Sequence, residues 1–254
     1  MKMFMEERRN KILELLDNHQ RITVKELSKE LEVSEATLRN DLKDMEKEGF
    51  LKRTHGGAVL NDIEDNKVNF SDREKVNKEE KHIISMKAEQ LIENNQCILL
   101  DASSTGLELA RKIKHSSKRL TIVTNGIYTA LELRDNPEFI VILIGGILRA
   151  GSSALESTIS GDILNKINID IMFTSASGFD FENGLTDFNM YEVELKKKMV
   201  QASNRVVALL DHTKLNKKSI ASFAALDEID MIITDDHMSK EDIEKLKVCN
   251  INYS

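Results

Sequence analysis

The sequence predicts an α/β chain in two parts: a winged helix-turn-helix head over residues 1–60 and a mainly parallel α/β domain over 73–254, joined by a linker at 61–72. Between residues 22 and 57 two short helical patterns meet at a tight turn and run into a basic Gly-Gly tip. From about residue 73 short apolar runs alternate with helical patterns, as in parallel strands joined by crossover helices. The stretch between them, NDIEDNKVNFSD, is polar, rich in Asp and Asn, and without periodicity.

The head opens with a helix over about 6–16, whose apolar residues are Ile12, Leu13, Leu15 and Leu16. Thr23 then offers an N-cap to a helix over 24–31, and Glu26, three residues later, completes a capping box. Val24, Leu27 and Leu31 recur at the helical spacings of three and four. Val33 lies in the turn, and Ser34 is a second N-cap. The helix it opens runs to about residue 48, with Gly49 as its C-terminal stop. Leu38, Leu42 and Met45 form one stripe of this helix; Ala36, Asn40, Lys43 and Lys47 lie opposite, flanked by Thr37 and Arg39.

A second helix of this kind is built to enter the major groove of double-stranded DNA. Its open face offers Ser34, Thr37, Arg39, Asn40 and Lys43. Hydroxyls and Lys hold phosphates, whereas Asn and Arg can bond base edges in bidentate fashion. Lys52, Arg53 and His55 sit beside the Gly56-Gly57 turn, which suits backbone or minor-groove contact.

Charge is informative by its placement. Residues 1–60 carry twelve Lys+Arg and twelve Asp+Glu, so the full net charge of −7 falls on the rest of the chain. That acidic part is not expected to bind nucleic acid or an anionic membrane. A single neutral head should hold DNA weakly, so a homodimer or homotetramer on an operator with repeated half-sites is expected. No apolar stretch approaches membrane-spanning length, and MKMFMEERRNK lacks the apolar centre of a signal peptide, so a cytoplasmic location without a membrane partner is expected. Cys97 and Cys249 have no metal-ligand spacing; Cys97 reads as a reduced core residue, and neither metal nor cofactor is expected. Trp is absent and aromatics make up only 5%, which argues against a stacking platform for single strands.

In the second part a helix (about 78–94) leads to CILLD (97–101), and a helix (about 104–114) to LTIVTN (120–125). A short helix (127–134) leads to FIVILIGG (139–146), and a loop with a helix over about 155–167 to DIMFTSAS (170–177). A helix over about 189–203 precedes RVVALLD (205–211) and MIITD (231–235); a helix (about 239–247) precedes a last strand at 251–253. Ligands of such sheets bind beyond the C-terminal strand ends. Polar and Gly-rich punctuation collects there: Asp101-Ala102-Ser103-Ser104-Thr105-Gly106, Thr124-Asn125-Gly126, Gly145-Gly146, Ser177-Gly178-Phe179-Asp180 and Asp211-His212-Thr213-Lys214. Hydroxyls and free amides at a helix N-terminus hold anions. Five such ends together point to a small phosphorylated, hydroxyl-rich ligand. No Gly-Lys-Ser/Thr P-loop and no GxGxxG is present, so a nucleotide triphosphate or dinucleotide is not expected.

The whole chain resembles the DeoR family of bacterial transcription regulators. Its head is similar to the family signature in Val33–Leu42 and Gly49–Ala58, and its tail to the family's sensor domain, related to ribose-5-phosphate isomerase. The matching stretches of the tail are Asp101–Thr105, Thr124–Asn125, Gly145–Gly146, Gly178–Asp180 with Gly184–Thr186, and Asp211–Lys214. The resemblance implies a repressor of a sugar-catabolism operon that releases DNA when a sugar phosphate binds, and places Arg73, Glu192 and Lys196 at recurrent sensor positions. The chain departs from the family pattern at Asn40, where a second arginine is common, at Ala102-Ser103 in place of Ser-Gly, and at Gly126 in place of a serine. Glu156 stands where a neutral residue is frequent; it either contacts a sugar hydroxyl or belongs to the surface. The rival reading is a sugar-phosphate isomerase, for which Asp101, Asp180, Asp211 and Lys214 would supply the base and the cation.

Overall fold

The computed structural model describes residues 8–254, except 10, 13–14, 17–20, 48–50, 55, 61–69, 150–151, 157–160 and 250. The chain divides into two compact units, Met1–Lys67 and Val68–Ser254.

In the first unit residues 8–9, 11–12 and 15–16 are helical. β1 (Arg21–Thr23) leads directly into α1 (Val24–Leu31), and α2 (Glu35–Lys47) is followed by β2 (Leu51–Thr54) and β3 (Gly57–Leu60). The capping box forms: Thr23 Oγ1 accepts from Glu26 N at 3.2 Å, and Glu26 Oε2 accepts from Thr23 N at 2.8 Å. Glu32 takes a left-handed backbone (φ 53°) to end α1. Ile12, Leu16, Leu27, Leu38, Leu42 and Met45 are essentially inaccessible, so both helical stripes meet in one core. The strands form an antiparallel sheet in the order β1-β3-β2, in which β2 and β3 are the wing. Gly57 is forced: a Cβ there would stand 2.0 Å from the Ile22 carbonyl oxygen.

The second unit opens with α3 (Phe70–Lys75) and α4 (Lys78–Glu89), then β4 (Cys97–Leu100), α5 (Ser104–Ile113), β5 (Leu120–Thr124), α6 (Ile127–Leu133) and β6 (Phe139–Leu143). A small ribbon, β7 (Ile147–Leu148) with β8 (Leu155–Glu156), and α7 (Gly161–Leu164) precede β9 (Ile171–Thr174). β10 (Gly178–Asp180), β11 (Gly184–Asp187), α8 (Met190–Gln201), β12 (Val206–Leu209), β13 (Ala221–Ala224), β14 (Met231–Ile233), α9 (Lys240–Val248) and β15 (Asn252–Tyr253) complete it.

Seven strands form a sheet in the order β15-β14-β12-β9-β4-β5-β6, with every pairing parallel. Alternate residues feed two cores. Leu99, Val123, Met172 and Ala208 face α8 through Val193 and Met199. Ile98, Leu100, Ile122 and Phe173 pack with Ile84 and Ala88 of α4 and Leu109 and Ile113 of α5. Burial on both faces explains why these strands read as continuous apolar runs.

Two expectations are corrected here. Residues 155–167 are not one helix: Leu155 and Glu156 pair with Leu148 and Ile147, and the described helix covers only Gly161–Leu164. The segment after β9 is also more than a loop, because β10, β11 and β13 form a separate three-stranded antiparallel sheet.

Candidate functional site

Strand order reverses at β4. The chain proceeds through β5 and β6 on one side and places β9, β12, β14 and β15 on the other. The C-terminal ends of β4 and β9 therefore border the crevice in which open parallel sheets bind ligands. Asp101 follows β4 there and is fully buried. One carboxylate oxygen accepts from Ser103 N (3.1 Å) and Ser103 Oγ; the other accepts from Thr174 Oγ1 (2.7 Å) and Ser175 N (2.9 Å), beside Lys196 Nζ at 3.2 Å. Lys196, from α8, also donates to Asp187 Oδ2 and to the Ser175 carbonyl, each at 2.8 Å. Burial opposes the Lys196 charge, but Asp187, Asp101 and Glu192 outweigh it and hold the ammonium above its usual range. Burial likewise opposes ionisation of Asp187, and Lys196 reverses this, holding the carboxyl below its ordinary value.

Glu192 lies one helical turn before Lys196. Burial first, then repulsion from Asp187, pushes its carboxyl up to about 7, against the pull of Lys196 and Arg73. Glu156 pairs with Arg149 (Nε–Oε2 3.0 Å) and accepts from Asn189 Nδ2 at the cap of α8. It is 2% exposed, so it does not belong to the surface. Lys81, on α4, is buried and donates to the Arg73 and Val76 carbonyls. Burial lowers its pKa to about 8, helped by repulsion from Lys214 and Arg73 and opposed by Asp211. Three cations thus gather at one place. Among the described residues, the buried side-chain atoms without a hydrogen-bond partner include Arg73 Nε, Asn125 Oδ1 and Ser153 Oγ.

The residues expected from sequence fall into distinct roles. Ser103 caps α5 by accepting from Gly106 N at 2.9 Å, while Ser104 and Thr105 form its first turn. Thr124 is fully buried and accepts from Gly126 N at 3.0 Å, closing a tight turn. Asn125 Nδ2 donates to the Leu155 carbonyl, and Ser153 accepts from Ile127 N through its own carbonyl, so the 152–156 segment lies against the end of β5. Asp211 caps a 3-10 turn, His212–Lys214, and accepts from Thr213 N (3.0 Å) and Asn77 Nδ2 (3.1 Å). Gly145 and Gly146 are exposed beyond β6. Gly178 is buried where a Cβ would meet the Lys217 carbonyl oxygen at 2.5 Å. Asp180 is placed differently from expectation: it holds the β10–β11 turn, accepting from Glu182 N and Asn183 N, rather than ending a strand of the large sheet. Lys81, Asp187 and Ser153 were not singled out by sequence; a lysine on an apolar helix face was the available signal for the first.

On the head, Ser34 Oγ accepts from Thr37 N at 3.2 Å and meets Thr37 Oγ1 at 2.8 Å, so these hydroxyls start α2. Arg39, Asn40 and Lys43 are exposed, and Arg39 reaches Glu35 at 2.6 Å. Arg53 is exposed, with its backbone N–H on Glu46. The Lys52 side chain and His55 lie outside the described residues. Asp41, 5% exposed, binds Arg8 through Nε (2.5 Å) and Nη2 (3.0 Å), tying the first helix to α2.

Residues 8–64 match the family model of the DeoR-like helix-turn-helix domain, and residues 76–236 match that of the DeoR C-terminal sensor domain. The chain belongs to the DeoR family. It is a DNA-binding transcriptional regulator, and its DeoR relatives match over nearly the full chain. The HTH-type transcriptional regulator GolR of Listeria innocua is 50% identical over 94% of this chain and 93% of its own. The glycerol-3-phosphate regulon repressor of Escherichia coli is 28% identical over 90% of each. Among solved structures, ribose 5-phosphate isomerase A of Methanocaldococcus jannaschii aligns over 55% of each chain at 17% identity, with a TM-score of 0.42. No described helix of this DeoR-family chain is long and apolar enough to cross a membrane.

Proposed function

We propose that this regulator is a cytoplasmic repressor of a sugar-catabolism operon, and that a small phosphorylated sugar or polyol, bound at the ends of β4, β5, β9 and β12, releases it from DNA. The observation that carries this reading is the set of unpartnered buried atoms, Arg73 Nε, Asn125 Oδ1 and Ser153 Oγ, around a site that also concentrates cations. Each such atom costs about 1–3 kcal/mol until a partner arrives. A phosphate answers Arg73, Lys81, Lys214 and the first amides of α5 at Ser104 and Thr105, where a helix N-terminus favours an anion. Hydroxyls answer Asn125 and Ser153. Asp101 is saturated by its own loop and Lys196, so it shapes the pocket rather than reading the ligand. A relative named for glycerol-3-phosphate supports a small phosphorylated effector.

A carboxyl titrating at about 7 is what a general base requires, and Glu192 is the observation on the side of catalysis. Asp101 and Asp187 are both held by Lys196 and cannot serve as free bases. We therefore read Glu192 as a hydrogen-bonding contact to the ligand and the protein as a non-enzyme. The open edge strand β6 and its surroundings, with Ile140, Leu143, Ile147 and Leu148 exposed, supply an apolar face for a second copy.

The test is operator binding by fluorescence anisotropy with sugar phosphates added. Wild type should be released by a phosphorylated compound and not by its free sugar. Arg73→Gln and Lys214→Ala should bind operator normally and lose about 1.5–3 kcal/mol of effector affinity each. Equal response of wild type and both variants, or isomerisation of the same compounds, would refute the reading.

A further inference from the structure

We propose that Glu80, His212 and His237 form a binding site for one divalent transition-metal ion of the zinc type. The three residues come from the first turn of α4, the 3-10 turn after β12 and the turn after β14. β12 and β14 are adjacent parallel strands, so their C-terminal ends bring the two histidines together, with ring centroids 5.0 Å apart. One ligand atom from each of the three residues lies within 4.8 Å of the others. Donors of a tetrahedral zinc ion stand roughly 3.4 Å apart, so rotation of three partly exposed side chains by about an ångström would close the site.

Asp235 gives the pair its chemistry. It is 2% exposed, and its two oxygens are divided between the rings: Oδ2 lies 3.1 Å from His212 Nδ1, and Oδ1 lies 3.1 Å from His237 Nδ1. The same oxygens accept the backbone N–H groups of His212 (2.8 Å) and His237 (2.9 Å), so the carboxylate cannot swing away. A ring that donates its Nδ1–H to Asp235 presents its Nε2 lone pair to an ion, and this is the tautomer the proposed site would use. A buried carboxylate that orients a ligating histidine is the recurrent outer shell of imidazole metal sites, and here one carboxylate orients two. Two imidazoles and a carboxylate favour zinc, cobalt or nickel over magnesium or calcium. Three protein donors leave a position for water or another ligand. An ion there would join α4 to the turn that carries Lys214. The site stands on its own residues and does not depend on the effector reading.

The experiment is titration of untagged, metal-free, full-length protein with Co²⁺, followed by visible absorption, and then displacement by Zn²⁺. One Co²⁺ per chain should bind and be displaced by Zn²⁺, with Mg²⁺ unable to compete. His237→Ala and Asp235→Asn should each weaken binding roughly 10–100-fold, and His82→Ala and His115→Ala should leave it unchanged. His237 is largely exposed, so its variant also serves should Asp235→Asn fail to fold. Unchanged affinity in His237→Ala, equal competition by Mg²⁺, or no spectrum with wild type would overturn the proposal.

Discussion

The ammonium of Lys196 lies 2.8 Å from Asp187 Oδ2, in a place where both side chains are buried. The pair joins α8 to the last residue of β11, and Asp101 at 3.2 Å extends it to the large sheet. Removing the cation would leave two buried carboxylates without a counter-charge. Lys196→Met should therefore destabilise the sensor unit by about 3–5 kcal/mol, measured by urea denaturation at neutral pH. A loss under about 1 kcal/mol would show that the site relaxes or takes up protons easily.

Glu192 makes stability depend on pH. Its carboxyl titrates near 4.5 when unfolded and at about 7 in the fold, so the folded state holds the extra proton between those values. Its contribution is fully present below about 4.5 and is lost as pH rises through 7. Glu192→Gln, which keeps a neutral polar group, should flatten the difference, gaining on the order of 1–3 kcal/mol over wild type above neutrality. Parallel denaturation series across this pH window check it; identical slopes would remove Glu192 from the account.

The exposed face of α2 is expected to separate base readers from phosphate holders. Arg39→Ala or Asn40→Ala should cost about 1–3 kcal/mol per base contact and relax sequence preference. Lys43→Ala should weaken binding on every sequence and flatten its salt dependence. Anisotropy on operator and scrambled DNA at several salt concentrations distinguishes the two; wild-type behaviour in all three variants would place the reader elsewhere.

Gly57 admits no side chain against the Ile22 carbonyl. Gly57→Ala should strain the junction of β1 and β3 by about 1–3 kcal/mol and lower operator affinity. Effector binding by the other unit, followed calorimetrically, should stay at the wild-type level. Loss of both activities would mean that the substitution acts on the whole chain.

The exposed edge beside β6 should mediate self-association. Ile140→Lys with Ile147→Lys should shift the protein toward monomer in light scattering and reduce operator affinity together with it. Unchanged mass would move the interface to another surface.

The parallel strands were legible because burial on both faces leaves uninterrupted apolar runs such as Ile98–Leu100 and Ile171–Phe173. The capping box at Thr23 and Glu26 was legible because the backbone dictates its spacing. The antiparallel sheet was not. Asn183-Gly184 is a strong hairpin dipeptide, with Gly184 at φ 68°, yet it reads equally as loop punctuation between strands. Hydroxyls at Ser103 and Thr124 look like ligand contacts in sequence, whereas each oxygen also accepts from a local backbone amide. The charge network was least visible. Asp187, Lys196 and Asp101 meet only through the crossing of two sheets and a helix, and Lys81 reaches the site from a helix whose pattern marks it only as amphipathic.

The first amide of α1 donates to the carbonyl of Gly56 at the wing turn, 2.9 Å away, and β1 is hydrogen-bonded along β3. The start of α1 is thus tied to the wing at the turn itself. A head built this way, if it reads DNA through α2 and the wing, would work as a caliper whose two points are set together rather than independently. Duplexes whose groove width or helical twist places the flanking phosphates off that span would then lose both contacts together. Selection among operators is then expected to include a measurement of DNA shape, set by one hydrogen bond of the protein's own backbone.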